Sequence, residues 1–219
     1  MTCTEIVTQL EALGDPKIRA VNLRYGAGES QFGVNLSKLR ALAKQLKANH
    51  PLALELWATG NVEAMLLATL MMKPKELTVD QMDAMMRQVS CSKIADWFVI
   101  NVVRKTKHAD ALCARWRDSG AECTGRAGWS LMADKVKTDP ASAEEALQKI
   151  EAEMKQAPLR KQETMNYCLV EIGINYPDLR QRAIDIGHRL EVLKDYPVPK
   201  GCTSPFAPIW IAYAVGKGK

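Results

Sequence analysis

The segment around Asp96 combines side chains whose types and spacing suit chemistry on a cation. If residues 91–103 form a helix, Asp96 shares a face with the apolar Ile100 and Val103, and the large aromatic Trp97 follows it directly. A carboxylate at the edge of an apolar stripe stabilises positive charge, and an aromatic ring adds a cation–π contact. An Asp near a helix start also complements the helix dipole with no further role, so the spacing leaves both interpretations open.

Two other residues are candidates for binding. Arg126 lies in the segment Gly-Arg-Ala-Gly-Trp on a predicted helix, where either a phosphate or an acidic side chain can pair with it. Tyr167 lies between apolar neighbours, a pattern that is also typical of a buried tyrosine with a satisfied hydroxyl.

Basic residues recur at predicted helix starts and turns. Basic side chains and helix N-termini gathered on one side of a protein bind phosphates, although a merely solvated face has the same pattern. The candidates for a phosphate track are Lys38, Arg40, Lys93, Arg104, Arg126, Arg160 and Lys161.

The composition narrows the possible classes of protein. The chain has 219 residues, 47% of them hydrophobic, and 30 Lys and Arg against 25 Asp and Glu give a net charge of +5. This is a globular composition, with a modest basic surplus that favours a phosphate-bearing partner. The six cysteines are scattered, so we predict reduced thiols, no metal and no cofactor. An enzyme that uses Cys91 or Cys123 as its nucleophile is disfavoured, since no His lies near either in the sequence.

The chain carries no sequence signal for a membrane. Its longest apolar run, residues 64–72, is far shorter than the roughly 20 residues that a membrane span needs. The first ten residues lack the pattern of a signal peptide. We therefore expect a cytoplasmic protein, of the bacterial cytosol or nucleoid, with no membrane partner.

Helices must position the candidate residues, because the dominant hydrophobic period is helical. Leu36, Leu39, Leu42 and Leu46 repeat at intervals of three and four residues, and Asn35 or Ser37 is a suitable N-cap. Other helices are predicted over 51–58, 61–72, 78–89, 93–107, 109–118, 121–137, 141–155, 159–175 and 177–193. Short connections between them predict an all-α chain of antiparallel pairs.

An internal repeat supports stacking of these pairs. Residues 55–71 align with residues 114–132, so that Trp57 matches Trp116 and Glu63 matches Glu122. Because one helix pair cannot bury its apolar face alone, the repeat predicts a short curved α-solenoid with a concave side.

The C-terminal segment differs from the rest of the chain in composition. Residues 196–219 are rich in proline, and a regular helix cannot continue through Pro208. We therefore predict a helical-repeat domain over 1–195 and an extended segment over 196–219 that packs on the last helices.

In its sequence segments, the chain resembles the AlkD-type DNA alkylation repair glycosylases, a family of HEAT-like helical repeats. The resemblance extends over about residues 20–185. The matching segments occur in the family's order and are Phe32–Leu46, Leu56–Ala64, the stretch through Asp96, Arg115–Gly128 and Gln162–Asp178.

This resemblance implies a fold, a partner and residue roles. The fold would be a solenoid of HEAT-like antiparallel helix pairs whose concave face binds double-stranded DNA, as a monomer. Asp96 would be the catalytic carboxylate, Arg126 would bind a phosphate near the lesion, and Trp97 and Tyr167 would pack against the lesion and its sugar. Tyr167 takes the position of a family Trp, and Cys91, Ser92 and Lys93 occupy the stretch where the family has another.

The implied function is excision of cationic alkylated purines, such as N3-methyladenine and N7-methylguanine, by a monofunctional DNA glycosylase. Alkylation places positive charge on the base, so the enzyme needs only to stabilise the developing cation on the sugar and to position water. The two missing Trp residues favour an alternative, a non-catalytic relative that binds branched or distorted DNA. A third alternative is a protein-binding adaptor, the generic use of solenoids.

Overall fold

All regular secondary structure in the described residues is helical. The computed structural model describes residues 1–24 and 26–217, so Tyr25, Gly218 and Lys219, which fall within the predicted ranges 1–195 and 196–219, lie outside the described part. None of the helices in the described part is both long and apolar enough to cross a membrane. The α-helices are α1 Cys3–Ala12, α2 Pro16–Arg24, α3 Leu36–Leu46, α4 His50–Ala58, α5 Val62–Met71, α6 Val79–Arg87, α7 Ser92–Asn101, α8 Ala109–Arg117, α9 Glu122–Lys135, α10 Pro140–Glu153, α11 Leu159–Asn175, α12 Pro177–Leu190 and α13 Ala207–Lys217.

Polar side chains begin several of these helices by capping their first backbone N–H groups. The Asn35 side chain accepts a hydrogen bond from the Ser37 backbone N–H at 2.8 Å at the start of α3. Asn49 and Asn61 cap α4 and α5 in the same way. Such caps stabilise a helix by about 1 kcal/mol each. The all-α fold class predicted from the sequence is confirmed.

The chain divides into two compact units, residues 1–112 and residues 113–219. In unit 1, α5 packs against α1, α3, α4 and α7, and nearly every residue of α5 is buried. This explains why α5 is apolar on all sides rather than amphipathic. The core of unit 1 includes Leu39, Leu56, Leu67 and Phe98.

In unit 2, α11 is the central helix. It packs against α9, α10, α12 and α13. The two largest side chains of this core, Trp116 and Trp129, are fully buried. The six cysteines of the chain are free thiols, and Cys202 is exposed.

The internal repeat has a structural counterpart in each unit. Trp57 and Trp116 are both buried, at the ends of α4 and α8. Glu63, in the first turn of α5, accepts hydrogen bonds from the backbone N–H groups of Phe32, Gly33 and Val34 at 2.8, 2.9 and 3.2 Å.

In unit 2, Glu122 occupies the matching place in the first turn of α9. Its carboxylate accepts a hydrogen bond from the Arg160 backbone N–H at 2.9 Å. The paired glutamates therefore act alike, since each one binds backbone from a segment distant in sequence.

The C-terminal segment is helical where the sequence predicted an extended chain. Residues 207–217 form α13, which contacts α11 and α12, so the extended conformation predicted for them is wrong. Pro208 lies in the first turn of α13, where the N–H that proline lacks would have no helical partner. Proline therefore starts this helix instead of breaking it.

Candidate nucleic-acid interface

Asp96 and Trp97 lie in the second turn of α7 and are half-buried. The apolar face of α7, which includes Ile94 and Phe98, is buried in the core of unit 1. Asp96 and Trp97 lie at the edge of this face. Asp96 is the fifth residue of α7 and the first turn holds no acidic residue. Because the dipole effect falls off within the first turn, it does not account for an acid at this position.

A cation already lies over the ring of Trp97. The guanidinium carbon of Arg40, on α3, is 5.2 Å from the ring centroid. Arg40 is exposed. The structure thus brings together two of the predicted site residues that are 57 positions apart in the sequence. The face of Trp97 is therefore a place that accepts positive charge.

Arg40 is part of a basic stripe on α3. Lys44 follows Arg40 by four residues and so lies on the same helix face, and Lys47 is the C-cap residue directly after α3. All three side chains are exposed. Helix α3 holds no acidic residue. Within the described part of the chain, neither Lys44 nor Lys47 forms an ion pair. We call Arg40, Lys44 and Lys47 the α3 basic stripe.

The sequence prediction included Arg40 and missed Lys44 and Lys47. Their helical spacing from Arg40 was the available signal. Lys38 is also exposed, but it lies on a different face of α3.

Lys47 has an unusual backbone conformation. It ends α3 with φ 61° and ψ −177°. This region is occupied almost only by glycine, and a side chain there costs of order 1–3 kcal/mol. A lysine is therefore kept at a position that favours glycine.

Two other predicted residues lie on or just after α7. The Lys93 ammonium donates a hydrogen bond to Asn22 Oδ1 at 2.7 Å, and Asn22 is buried. Arg104 is exposed in the short 3₁₀ turn Val103–Lys105. Lys93 therefore supports the packing of α7, whereas the position of Arg104 permits contact with a partner.

In unit 2, Arg126 and Arg160 share one carboxylate. Arg126 Nη1 is 2.6 Å from Glu163 Oε2, and Arg160 Nη1 is 2.5 Å from Glu163 Oε1. The side chains of Arg126 and Glu163 are only 14% and 18% exposed. Arg126 Nη1 also donates to the Arg160 carbonyl at 2.9 Å. The predicted phosphate ligand Arg126 is thus engaged in a cluster with Glu163 and Arg160.

Lys161 does not suit the phosphate role predicted for it. It is 6% exposed, and its ammonium donates to the Ser119 carbonyl at 3.0 Å. Burial lowers the pKa of Lys161, although the nearby carboxylates of Glu153 and Asp118 oppose this effect. Its stem covers Gly125, where an added Cβ would lie 2.7 Å from Lys161 Cδ. The predicted contact with the DNA backbone is corrected to a role in packing.

Tyr167 belongs to a cluster that the sequence did not predict. Its ring centroid is 5.8 Å from that of Trp210 on α13, and the Lys137 ammonium lies 5.8 Å from the ring. Lys137 also pairs with Glu171 at 3.5 Å. Burial, and then a hydrogen bond with Glu171, raise the pKa of Tyr167. The aromatic pair Tyr167–Trp210 is the feature that the sequence analysis missed, because α13 was predicted to be extended.

The chain is similar in sequence to known proteins. The sequence model of the family described as "DNA alkylation repair enzyme" matches residues 6–204. The protein Lin0241 of Listeria innocua is 24% identical over 191 residues, which cover 84% of each chain.

A solved structure is also similar over the whole chain. It is described as belonging to "a new family of proteins related to the HEAT-like repeat DNA glycosylases with affinity for branched DNA structures". The similarity has a TM-score of 0.82 at 25% identity, and covers 100% of this chain and 95% of the other. The fold is therefore the HEAT-like helical repeat fold.

Proposed function

Because the chain belongs to the family of DNA alkylation repair enzymes, we propose that it binds double-stranded DNA and excises cationic alkylated purines such as N3-methyladenine and N7-methylguanine. The observation that carries this proposal is the α3 basic stripe, whose first residue, Arg40, stacks on Trp97, the residue that follows Asp96 in α7.

The stripe has the properties of a binding site for a DNA strand. From Arg40 to Lys47 it rises about 10 Å along the helix. Phosphates of one strand follow one another at about 3.4 Å of rise along the duplex axis, so a stripe of this length parallel to that axis would span about three of them. Its lysines are exposed and have no acidic partner in the described residues, so binding DNA costs them no ion pair. Counterion release then provides sequence-independent affinity.

Asp96 and Trp97 supply what the excision needs. The bond between C1′ and the purine nitrogen breaks, and the base leaves with the electron pair, which neutralises its positive ring. Positive charge grows on C1′, where the Asp96 carboxylate stabilises it. Oxygen of a water molecule bonds to C1′, and the proton that this water loses passes to the surrounding solvent. The Trp97 face, from which the exposed Arg40 can move away, accepts a cationic ring.

Release of 7-methylguanine from methylated duplex DNA tests this proposal. We expect the wild type to release the base. Asp96→Asn should release it at a rate lower by a factor of at least about 100, since electrostatic groups of this kind contribute factors of about 10²–10³. Asp110→Asn is the matched control, because Asp110 is an exposed acid of α8, and it should release base like the wild type. An inactive wild type, or equal rates for wild type and Asp96→Asn, would refute the catalytic role.

A second candidate function is binding of branched DNA without catalysis. The affinity for branched DNA stated for the similar solved structure favours it. So do the contacts in unit 2, where Arg126 is held by Glu163 and Tyr167 by Trp210 and Lys137.

This candidate predicts tighter binding to a four-way junction than to a linear duplex of the same sequence, with no release of base. Lys44→Glu should weaken binding to both DNAs. Lys75→Glu is the control, since Lys75 is exposed in unit 1 outside the stripe and should retain wild-type affinity. Equal affinity for the junction and the duplex would count against this function.

A further inference from the structure

Helix α13 presents apolar side chains to solvent in unit 2. Its buried side, which includes Ile211, packs against α11 and α12. On another side, Ile209 and Tyr213 follow one another at an interval of four residues and are 50% and 47% exposed. The proposed function uses neither residue. Exposed apolar side chains that adjoin one another are more informative than scattered ones, so this face is a candidate binding surface.

Three aromatic side chains are neighbours at this face. The ring centroid of Tyr167, on α11, lies 5.8 Å from that of Trp210, and the two ring planes are tilted by 41° rather than stacked. Both residues are half-buried. Tyr213 follows Trp210 by three residues, a spacing that makes the two side chains neighbours on a helix surface. We call Tyr167, Trp210 and Tyr213 the aromatic platform.

Two members of the aromatic platform each have a lysine beside the ring. The Lys217 ammonium lies 4.4 Å from the centroid of the Tyr213 ring, and the Lys137 ammonium lies 5.8 Å from that of Tyr167. Lys137 also pairs with Glu171 at 3.5 Å, whereas α13 contains no acidic residue. In the sequence, residues 196–219 hold three lysines and no Asp or Glu. The platform therefore combines aromatic rings with positive charge.

This combination selects the class of ligand. In sites for single-stranded nucleic acid, bases stack on aromatic side chains and basic side chains follow the phosphates. An acidic peptide would use the lysines and leave the rings without a partner. A second copy of this chain is disfavoured, because a symmetric contact between two such faces would bring their lysines together.

We propose that the aromatic platform binds a single strand of DNA, whose bases stack on Trp210 and Tyr213 and whose phosphate pairs with Lys217. The choice of DNA rests on the family to which the chain belongs. The inference goes beyond the proposed function, because base excision assigns no role to these three residues. It adds a site for unpaired nucleotides that depends neither on Asp96 nor on the α3 basic stripe.

The test uses the full chain and compares two oligomers of equal length. One is an oligothymidylate of about 12 nucleotides, within the range of known single-strand sites, and the other has the same phosphates and no bases. The ratio of the two affinities isolates base stacking. We expect the wild type to prefer oligothymidylate by at least about 25-fold, from two base stacks of about fivefold each.

The main variant is Tyr213→Ala, which should reduce this preference by at least about fivefold. Tyr213→Phe keeps the ring and should retain the preference. Ile209→Ala is the matched control, because Ile209 is an equally exposed apolar residue one turn earlier in α13 and has no ring. It should bind both oligomers like the wild type.

Trp210→Leu should reduce the preference by a similar factor, since leucine fills much of the space without offering a ring face. Because Trp210 is half-buried, urea unfolding checks that this variant is folded. If it does not fold, Tyr213→Ala still decides, since its position is exposed.

Three outcomes would overturn the proposal. The first is a wild type with equal affinity for the two oligomers, or a Tyr213→Ala variant with the full preference. The second is an equal loss in Ile209→Ala and Tyr213→Ala, which would indicate apolar contact instead of stacking. The third is a dimer in sedimentation that Ile209→Ala dissociates, because the face would then belong to a second copy.

Failure of this proposal is distinguishable from failure of the proposed function. Lys44→Glu should weaken binding of duplex DNA and leave the preference for oligothymidylate unchanged. If the wild type shows this preference and binds no duplex, the proposed function fails and the aromatic platform stands. If it binds duplex DNA and both oligomers equally, the platform fails and duplex binding stands.

Discussion

Lys161 and Lys44 show how burial separates basic residues that look alike in a sequence. The Lys161 ammonium is buried on the Ser119 carbonyl, whereas Lys44 is exposed on α3. A buried ammonium cannot reach a phosphate without leaving its place in the core. The net charge of the chain therefore overstates the charge that is available to DNA.

The first prediction concerns Lys161→Met. Methionine keeps the stem that covers Gly125 and removes a charge that burial disfavours. We expect the free energy of unfolding to change by less than about 1 kcal/mol, because apolar substitution of a buried charged group is often neutral or stabilising. Affinity for duplex DNA should stay within twofold of wild type. A large loss of affinity in a binding titration would restore the phosphate role.

The second prediction concerns Asp118. Burial raises the pKa of its carboxyl, but hydrogen bonds from Arg117 and Lys149 outweigh this, and the pKa lies below its ordinary value of 3.8. The carboxylate therefore stabilises the fold above the unfolded-state pKa, and this contribution is lost as the pH falls through the folded-state pKa. Since the side chain is 50% exposed, we expect Asp118→Asn to cost only about 0.5–1 kcal/mol at pH 7.

Urea unfolding of wild type and Asp118→Asn at pH 7 and at pH 2.5 checks this expectation. The difference between the two proteins should shrink at the lower pH. A difference that persists unchanged would mean that the ion pairs of Asp118 contribute nothing.

For single residues, the sequence predicted candidates for the site but not which residues contact each other. Asp96, Trp97 and Arg40 stand out by type, but the contact of Arg40 with Trp97 joins two helices far apart in the chain. The acid that holds Arg126 is Glu163, on another helix, and no local spacing points to it. Pairing depends on helix packing, which a single sequence encodes only indirectly.

At the end of helix α3, the residue Lys47 has both a strained backbone and a place in the proposed DNA-binding surface. Lys47 ends the helix in a backbone conformation that favours glycine, and it is also the last residue of the α3 basic stripe. Strained backbone of this kind clusters at functional sites, although Glu191 and Leu193 also have positive φ in this chain.

The third prediction follows from this strain. Lys47→Gly should raise the free energy of unfolding by about 1 kcal/mol and at the same time weaken binding to duplex DNA. The same change at Lys38, in the first turn of α3, should instead lower the stability, by less than the roughly 1 kcal/mol that glycine costs in a helix interior. Urea unfolding and a binding titration measure both effects. A less stable Lys47→Gly would contradict the assignment of strain.

Helix α13 packs so closely that glycine is required beneath it. A Cβ at Gly187 would lie 2.6 Å from Pro208 Cδ, whereas a Cβ at Gly216 meets nothing within 4 Å. As a fourth prediction, Gly187→Ala should lower the free energy of unfolding by about 1–2 kcal/mol through overpacking. Gly216→Ala should leave it unchanged or slightly higher. Equal thermal stability of the two variants would show that α13 shifts to accommodate the added methyl group at little cost.

Most elements followed from the hydrophobic period, and the exceptions have physical reasons. The predicted helices over 51–58, 61–72 and 159–175 correspond to α4, α5 and α11. Helix α2 was not predicted, because its residues show no clear apolar face. Helix α13 was predicted to be extended because of Pro208. Proline is tolerated in the first turn of a helix but breaks an interior turn, and the sequence does not show where this helix starts.

Across the whole molecule, the two units differ in how many of their basic side chains form ion pairs. Residues 1–112 hold 14 Lys and Arg against 11 Asp and Glu, and residues 113–219 hold 16 against 14. In unit 2, many basic side chains form ion pairs, as Arg117, Arg182 and Lys149 do. In unit 1, the α3 basic stripe has no acidic partner in the described residues. Affinity for DNA should therefore depend mainly on unit 1.

The fifth prediction uses the salt dependence of binding. Each phosphate contact that is lost should reduce the slope of log Kobs against log salt by about 0.9. Lys44→Ala should therefore reduce the slope by about one, and Arg126→Ala should change it less, because Arg126 is already paired with Glu163. Lys75→Ala serves as the exposed control. A larger effect from Arg126→Ala would place the main contact in unit 2.

The Glu63 carboxylate has a consequence for recombining this chain with its relatives. It binds the backbone of residues 32–34 and none of their side chains, so this contact does not depend on their identities. Packing still restricts two of them, since Val34 is buried and Gly33 has φ 80° and backbone atoms too close for a Cβ. A loop grafted from a relative should therefore be accepted if it has the same length, keeps this glycine and has an apolar residue in the place of Val34. An insertion of one residue would shift the N–H groups out of register and leave a buried carboxylate without donors.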